Sequence, residues 1–386
     1  MRIGLNLYGT LETKSGGTLY DRMVVAGLRR QGHEVTVLPL PSGSYLGRLR
    51  QGLAGDRLVN QVLGGRFDLL LQDELCHPSL FLVNRRITAL GGPPLVAIVH
   101  HLLSDEPRGY WLNRLLAWPE RRFLASVDGF ICNSLTTRQR VEALVGCERP
   151  GVIAHPAGDR FPGPSPSRKA IAERASRPGP LQLLFVGALI PRKGLLPLLQ
   201  ALAGVERGHW RLSVVGDPEV APAHVREAKG LADRLGLADS IRFLGPRPEA
   251  ELAGIFASHH LFCMPYAFEG FGIALLEAMG FGLPAVGCRH GAAGETISHG
   301  VNGFLLDPGD RAGLIDLIHG LHHDRSRLAA LSQAALETFT GRPGWREMAA
   351  AIEGFIRELA GQGHHPRQDG AARAEEGSVT LGVEHG

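Results

Sequence analysis

The sequence predicts an α/β protein built from two doubly wound, parallel-sheet domains in tandem. Apolar strand patterns alternate with helix patterns along most of the 386 residues. A stretch rich in proline, glycine and serine at residues 161–180 separates this alternation into two series and is expected to be a linker around a short helix. A chain of this length can bury two full cores.

The first series of elements occupies residues 1–160 and is expected to form one Rossmann-like domain. A strand from Arg2 to Leu7 precedes a glycine-rich loop at 13–18 and a helix from about Leu19 to Gln31. The loop therefore lies at the carboxyl end of the first strand, where open α/β sheets bind ligands. Further strands are predicted at 34–38, 67–72, 95–99, 129–132 and 152–154.

The second series occupies residues 181–341. Its first strand, Leu181 to Val186, is nearly all apolar, as expected at the centre of a parallel sheet. The pattern continues with strands at 210–215, 241–244, 261–264, 284–287 and 303–306, and with helices up to Thr340.

The end of the chain divides into a helix and a tail. Pro343 and Gly344 interrupt the helical pattern, and apolar residues then recur at three- and four-residue steps from Trp345 to Leu359. We expect this segment, residues 342–360, to leave the second domain and to pack its apolar face on the first. The tail, residues 361–386, has few large apolar residues and is expected to be disordered.

The composition is that of an ordinary globular protein, with 44% hydrophobic and 20% charged residues. A net charge of +3 does not indicate nucleic-acid binding as the main activity. The five cysteines are scattered, without a C-x-x-C pair, which fits a reducing cytoplasm better than a disulfide framework or a zinc site. The sequence shows no signal-peptide pattern and no apolar stretch of membrane-spanning length, so we expect a cytoplasmic protein.

The stretch with the most chemistry is Tyr266–Glu277, Y-A-F-E-G-F-G-I-A-L-L-E. It follows a short buried strand and predicts a glycine turn that leads into a helix. Such a turn lets a ligand approach the backbone, and the helix start offers free N–H groups to an anion. Glu269 lies on the turn and Glu277 about two turns into the helix, so both carboxylates could reach one ligand. The alternative is a common strand-to-helix turn with two solvated glutamates.

A pair of cations, Arg192 and Lys193, lies in the loop that follows the strand at 181–186. The next helix begins at Leu195. Two fixed cations beside a helix N-terminus suit a diphosphate. Taken alone, such a pair is more often a solvated loop charge.

Together these two motifs resemble those of the retaining GT-B glycosyltransferases of family 4. The chain carries G-x-x-x-x-R-K-G at 187–194 and E-G-F-G-x-x-x-x-E at 269–277. Other segments fit the family in the same order, and the resemblance covers roughly residues 1–360; these segments are Ser15-Gly16-Gly17, His100, Cys132-Asn133-Ser134, Gly294-Glu295 and 300–305.

The resemblance implies a GT-B fold with a cleft between the domains, and transfer of a hexose from a nucleoside-diphosphate sugar to a hydroxyl acceptor. Arg192 and Lys193 would bind the donor diphosphate. Glu277 would accept hydrogen bonds from the ribose hydroxyls. Glu269 and the backbone N–H groups of Phe271 and Gly272 would hold the hexose.

Other residues complete the implied site. Gly16 and Gly17 would close over the donor from the first domain, and His100 would face the transferred sugar. Gly187 and Ile273 belong to the implied donor site. The resemblance implies no cofactor and no essential metal, because fixed cations and amides would stabilise the leaving diphosphate.

Two positions depart from a simple match. The stretch from His290 to Glu295, H-G-A-A-G-E, lacks the Gly-Gly and Pro-Glu spacing often found in the family, so its role toward the sugar stays open. His101 follows His100 directly. We favour His100 because it ends the apolar strand, and a structural loop histidine is the alternative.

Two other functions remain as alternatives, a nucleotide-sugar 2-epimerase of GT-B fold and a non-catalytic nucleotide-sugar binding protein. The acceptor could be a glycan, a lipid-linked sugar or a small molecule. The loop at 243–247 is expected to border the base, without identifying it.

The first domain also carries a candidate membrane contact. Residues 1–160 hold 19 Lys and Arg against 14 Asp and Glu. The segment Trp111–Phe123 mixes tryptophan, leucine and arginine, which suits a peripheral contact with the inner face of an anionic membrane. An ordinary helix packed on the sheet is the alternative.

Overall fold

A computed structural model describes residues 1–13, 15–106, 108–163, 165–265 and 269–362. Three residues of the glycine-turn motif, 266–268, lie outside the described residues. The expectation of a disordered tail falls almost wholly on 363–386, which also lie outside them.

The first domain contains a six-stranded parallel sheet with the order β2-β1-β3-β4-β5-β6. Its strands are β1 (Arg2–Tyr8), β2 (Glu34–Leu40), β3 (Leu69–Asp73), β4 (Leu95–Val99), β5 (Gly129–Cys132) and β6 (Gly151–Ile153). Its helices are α1 (Gly16–Arg30), α2 (Tyr45–Leu53), α3 (Asp56–Gly64), α4 (His77–Ala89), α5 (Tyr110–Leu124) and α6 (Leu135–Val145).

The second domain contains another six-stranded parallel sheet, with the order β12-β11-β10-β7-β8-β9. Its strands are β7 (Leu181–Val186), β8 (Trp210–Val215), β9 (Ile241–Gly245), β10 (Leu261–Cys263), β11 (Ala285–Cys288) and β12 (Gly303–Leu306). The helices from here to the end of the described chain are α7 (Arg168–Ala175), α8 (Leu195–Leu202), α9 (Pro222–Arg234), α10 (Glu249–Ser258), α11 (Ile273–Gly280), α12 (Arg311–His323), α13 (Arg325–Thr340) and α14 (Trp345–Gly361).

Side chains alternate between the two faces of the first sheet, and each face has its own core. Leu69 and Leu71 of β3 pack in one cluster, whereas Leu70, between them, packs in the other. All three side chains are fully buried. Burial on both faces explains the continuous apolar runs of these strands. The prediction of two doubly wound α/β domains is confirmed.

The first helix begins earlier than the sequence pattern predicted. Ser15 is its N-cap, because the Oγ atom accepts a hydrogen bond of 3.0 Å from the N–H of Thr18. Gly16 and Gly17 are therefore the first two residues of α1 and not part of a loop. The prediction of a helix starting near Leu19 was wrong, because it read the glycines as a turn and overlooked the cap.

Two segments join the domains. The proline-rich segment contains α7, which packs on α13 with Ile171 and Ala175 buried against the second domain. After α13, helix α14 packs on α1 and contributes Trp345 and Ile352 to a core cluster of the first domain. The N–H of Trp345 donates to the carboxylate of Asp159 over 3.1 Å.

None of the helices in the described ranges combines the length and the apolar composition that a membrane span requires.

Candidate functional site

The candidate site lies where the carboxyl ends of the strands of both sheets approach each other. His100 directly follows β4, and the loop with Arg192 and Lys193 follows β7. The glycine turn follows β10. This is the position at which doubly wound sheets place their ligands.

His100 is held by a carboxylate that sequence reasoning did not identify. Its Nε2 atom lies 3.1 Å from Oδ1 of Asp21, on α1, and both side chains are buried. Burial alone would lower the pKa of His100, but the charge and hydrogen bond of Asp21, with Asp73 and Glu74, raise it to about 9. His100 is therefore an imidazolium at neutral pH, which donates to Asp21.

The glycine pair of α1 lies beside this histidine. A Cβ atom added at Gly17 would lie 3.2 Å from Cδ2 of His100, whereas one added at Gly16 would have no heavy atom within 4 Å. Only Gly17 must therefore be a glycine for the His100 ring to occupy this position. Gly16 lies at the start of α1 with open space around it.

A buried acidic group lies beneath His100. The ligand atoms of Asp21, Asp73 and His100 lie within 4.8 Å of one another. Burial raises the pKa of Asp73 to about 6 and the pKa values of Glu74 and Glu120 to about 8. Burial thus favours the protonated forms of these carboxyls, which limits the negative charge held here.

The glycine turn of the second domain packs directly on this edge of the first. A Cβ atom added at Gly270 would lie 2.0 Å from the carbonyl oxygen of His100, so only glycine permits this contact. Gly272 has a φ of 90° and is the N-cap of α11, a conformation that glycine adopts at no steric cost. The turn is thus fixed by contacts with both domains.

Next to the turn, Glu269 is surrounded by the two predicted cations. Lys193 Nζ forms an ion pair with its carboxylate, and Nη1 of Arg192 lies 3.8 Å from Oε2. Burial would raise the pKa of Glu269, but Lys193 and Arg192 hold it below its usual value. Arg192 Nε also lies 3.9 Å from Oε1 of Glu106, in the first domain. Arg192 therefore interacts with carboxylates from both domains.

Glu277 lies in a second ion pair. Helix α11 begins at Ile273, so Glu277 is about one turn into it, not two as predicted. Arg160 donates to both carboxylate oxygens, over 2.5 and 3.3 Å, and its Nη1 lies 2.6 Å from Oε1 of Glu249. Burial raises the pKa of Glu277 above its usual value, against the opposing charge of Arg160. The two carboxylates of this motif thus lie in two different ion pairs.

The remaining predicted residues support the turn or the loop after β7. The Phe271 ring is buried, with its centroid 5.7 Å from that of His155. Ile273 packs against the core cluster of the first domain that contains Trp345. A Cβ atom at Gly187 would lie 3.3 Å from the sulfur of Met264.

Glu295, whose loop the sequence left open, joins the two domains. Its carboxylate accepts hydrogen bonds from the N–H groups of Leu135 and Thr136, at the start of α6, and from the Thr136 hydroxyl. His155 Nε2 lies 3.1 Å away. Partial burial would raise the pKa of Glu295, but His155, the Thr136 hydroxyl and these N–H groups lower it to about 2. The loop therefore caps a first-domain helix.

A cavity of about 270 Å³ lies at the carboxyl ends of β8 and β9. Its wall includes Leu189, from the loop that carries the two cations, and Phe243. The Lys229 ammonium lies 5.4 Å from the Phe243 ring centroid. The cavity is mostly apolar, apart from Lys229, and adjoins the cation loop.

Three side-chain groups among the described residues have metal-ligating atoms within 4.8 Å of one another. Two are in the first domain, beside or beneath the candidate site. The third is in the second domain. They are Asp21, Asp73 and His100; Glu74, His77 and Glu120; and His209, His319 and His323.

The structure is similar to solved structures of known proteins. The structure of the Anabaena protein HepE in complex with UDP and glucose superposes with a TM-score of 0.73 at 22% identity, covering 93% of this chain and 100% of that one. Two facing parallel-sheet domains with this superposition define a GT-B fold.

The sequence matches two family models in tandem. Residues 15–157 match Glycosyltransferase Family 4, and residues 167–338 match Glycosyl transferases group 1. The chain belongs to the glycosyltransferases that these two models describe.

Two relatives with assigned activities are similar to this protein over half of the chain or slightly more. A D-inositol 3-phosphate glycosyltransferase of Xylanimonas cellulosilytica is 31% identical over 60% of this chain and 57% of its own length. A GDP-mannose-dependent phosphatidylinositol monomannoside mannosyltransferase of Mycobacterium tuberculosis is 30% identical over 52% of this chain and 53% of its own. The chain thus matches less than two thirds of the length of either relative.

Proposed function

We propose that this protein is a retaining glycosyltransferase that transfers a hexose from a nucleoside-diphosphate sugar to a hydroxyl acceptor. The observation that carries the proposal is the cluster of Arg192, Lys193 and Glu269, which adjoins the glycine turn that packs on His100. Family membership and the activities of the relatives support the reaction class. HepE, a structural neighbour, binds UDP and glucose.

The two cations would bind the donor diphosphate. As the glycosidic bond lengthens, the leaving diphosphate gains negative charge, so Arg192 and Lys193 stabilise the transition state more than the ground state. A bound diphosphate would compete with Glu269 for both cations. The carboxylate released in this exchange would be available to hexose hydroxyls, as would the N–H groups of Phe271 and Gly272.

Glu277 would bind the ribose. A carboxylate offers about four acceptor positions, and Arg160 donates to only one on each oxygen. Arg160 also fixes the orientation of the carboxylate, so the ribose hydroxyls would meet a rigid acceptor. The base would occupy the cavity lined by Leu189 and Phe243.

His100 would line the hexose subsite. Its Nε2–H is directed at Asp21, so the other nitrogen of the imidazolium is a second donor that a hexose hydroxyl could accept. We assign retention to attack on the face from which the diphosphate leaves, without a protein nucleophile. Arg192 and Lys193 supply positive charge at the diphosphate, so the proposal requires no metal for transfer.

The experiment that tests this function is a thermal-shift screen with UDP-, GDP- and ADP-sugars, followed by product analysis. A true donor raises the melting temperature by mass action. With an acceptor panel that includes inositol phosphates and lipid-linked sugars, we expect a transfer product whose anomeric configuration matches the donor. An epimerised nucleotide sugar would instead identify the epimerase, and binding without turnover the non-catalytic protein.

A second proposal concerns the acceptor side. Helix α5 buries Leu116 and Phe123 but exposes Trp111 by 79% and Leu115 by 70%, and Trp118 is also exposed. Arg114, Arg121 and Arg122 are exposed on the same helix. Apolar side chains flanked by arginines suit an anionic lipid surface.

This membrane contact would place a lipid-linked acceptor at the first domain. The test is co-sedimentation with vesicles of phosphatidylglycerol or of phosphatidylcholine. We expect binding to the anionic vesicles alone, and loss of binding in Trp111→Ser/Leu115→Ser. Val301→Ser, at a residue exposed by 59% in the second domain, is the matched control. Equal binding to both lipids, or none, would contradict the contact.

A further inference from the structure

The histidine cluster of the second domain stands apart from the donor site. His319 and His323 are one helical turn apart at the end of α12, so they lie on the same face. His209 lies in the segment just before β8, which packs beside that helix end. The three residues offer ligand nitrogens that lie within 4.8 Å of one another.

We infer that His209, His319 and His323 form a binding site for a divalent transition metal of the zinc class. Imidazole nitrogens are preferred ligands of zinc, copper and nickel. A tetrahedral ion with bonds of 2.0–2.1 Å needs nitrogens about 3.4 Å apart, which small rotations of the two exposed side chains on α12 can reach.

The mutual orientation of the rings supports these three ligands. The His209 and His323 rings are nearly perpendicular, at 89° with centroids 5.2 Å apart, and the His319 and His323 rings are tilted by 59° at 4.5 Å. Planes that cross in this way can meet at one ion. The Nδ1 atom of His209 is also buried without a hydrogen-bond partner among the described residues.

A fourth histidine is excluded by the same geometry. The His322 ring stacks on His209, with centroids 3.9 Å apart and planes 15° from parallel. A metal lies close to the plane of each imidazole that binds it, and the planes of two rings stacked in this way meet only far from either ring. His322 therefore packs against the ligand His209 and does not bind the ion.

A carboxylate lies beside the other nitrogen of His209. Oε2 of Glu206 lies 3.5 Å from Nε2 of His209, and the Glu206 side chain is 69% exposed. With Nδ1 of His209 on the ion, this carboxylate would hold the Nε2–H and fix the ring, and a water molecule would complete a tetrahedral set. The histidines, Glu206 and the bound ion would then join the end of α12 to the segment before β8.

The position of the site indicates a stabilising role. The His209 carbonyl accepts a hydrogen bond from the N–H of Leu181, the first residue of β7, over 2.8 Å. The cluster therefore lies at the amino ends of β7 and β8, opposite the edge that carries Arg192 and Lys193. A metal here would raise the stability of the second domain without entering the transfer reaction.

The test uses the full-length chain, freed of any affinity tag and of metal, titrated with Zn²⁺ against a chromophoric chelator at pH 7.5. We expect the protein to bind one equivalent of Zn²⁺ tightly and its melting temperature to rise. Co²⁺ should give the intense visible absorption of a tetrahedral site. Binding should weaken in acid, because protons compete with the ion for the imidazole nitrogens.

Matched variants distinguish this cluster from other histidines. His319→Gln/His323→Gln, at two exposed positions, should no longer bind Zn²⁺ tightly but should keep the melting temperature of the metal-free protein. His322→Gln should still bind one equivalent of Zn²⁺ tightly, as should His364→Ala/His365→Ala in the tail. The site would be overturned by a wild type that binds no Zn²⁺ tightly, by tight binding in the first variant, or by its loss in the tail variant.

Discussion

The imidazole of His100 and the carboxylate of Asp21 form a buried pair, with Nε2 and Oδ1 3.1 Å apart. The pair joins the end of β4 to the first turns of α1. It explains why the pKa of this histidine rises to about 9 in spite of burial. A histidine that faces the proposed hexose subsite is therefore cationic and fixed in orientation.

The pair predicts a specific dependence of stability on pH. Because the folded pKa of His100 is raised from 6.5 to about 9, its contribution is fully present below pH 6.5 and is lost as the pH rises through 9. Asp21→Asn should remove most of this contribution, which corresponds to roughly 3 kcal/mol in total. Urea unfolding should show the full difference from wild type at pH 6.5 and just below it, and the difference should shrink as the pH rises through 9.

The titration of His100 can also be followed directly by NMR. In Asp21→Asn its pKa should fall toward or below the ordinary value, because burial then acts against a weaker partner. A wild-type His100 that titrates near 6.5 would contradict the paired arrangement.

The two glycines at the start of α1 should respond differently to substitution. Gly17→Ala places a methyl group 3.2 Å from the His100 ring, so we expect a shifted His100 titration and a lower melting temperature. Gly16→Ala meets open space and should stabilise the helix by up to about 1 kcal/mol. Similar effects of both substitutions on the donor-free protein would contradict the assignment.

Glu295 should control how firmly the domains are joined. Glu295→Gln keeps the shape but removes the charge that caps α6, and we expect a loss of about 1 kcal/mol at pH 7, given its partial exposure. Because its folded pKa is lowered to about 2, the contribution is present above pH 4.5 and disappears as the pH falls through 2. The variant should therefore converge with wild type in acid.

Small-angle scattering provides a second measurement for Glu295. We expect a larger radius of gyration for Glu295→Ala, because the domains can then separate. Glu173→Gln, at an exposed glutamate of α7, is the control and should leave both stability and radius unchanged.

Truncation tests the helix that packs back on the first domain. Ending the chain at Gly341 removes Trp345, Met348 and Ile352 from a core cluster and should destabilise the first domain by several kcal/mol. Ending it at Gln362 removes only the tail, whose composition offers no core, and should cost little. Equal melting temperatures for the two truncations would contradict this role of α14.

Sequence reasoning located the site because its signals are local. An apolar strand that ends at His100, a glycine turn after Pro265 and an Arg-Lys pair before Leu195 can each be read from neighbouring residues. Their meeting at one cleft follows from the rule that parallel sheets bind ligands at their carboxyl ends. The start of α1 was the local exception, since its serine cap was overlooked.

The partners of these residues could not be read in the same way. Arg160 meets Glu277 across 117 positions and Glu295 meets Thr136 across 159. Such pairs depend on how the domains pack, which no local pattern encodes. Asp73 and Glu74 did carry a signal, because Asp73 ends a buried strand at the same edge as His100 and Glu74 follows it.

Binding of the donor diphosphate by Arg192 and Lys193 is the central proposal, and the affinity for a nucleoside diphosphate tests it directly. The probe is UDP, GDP or ADP, according to which sugar nucleotide gives the largest thermal shift, and the readout is its dissociation constant by calorimetry. The matched control is Arg168→Ala/Lys169→Ala, an adjacent pair whose side chains are 72% and 86% exposed on α7.

We predict that Arg192→Ala/Lys193→Ala weakens nucleoside-diphosphate binding by about 100-fold or more, since each charge-assisted hydrogen bond contributes about 1.5–3 kcal/mol. The sugar-transfer rate should fall at least as far, and the control pair should behave as wild type. A double variant that binds the nucleoside diphosphate with the wild-type dissociation constant and transfers sugar at the wild-type rate would contradict the account.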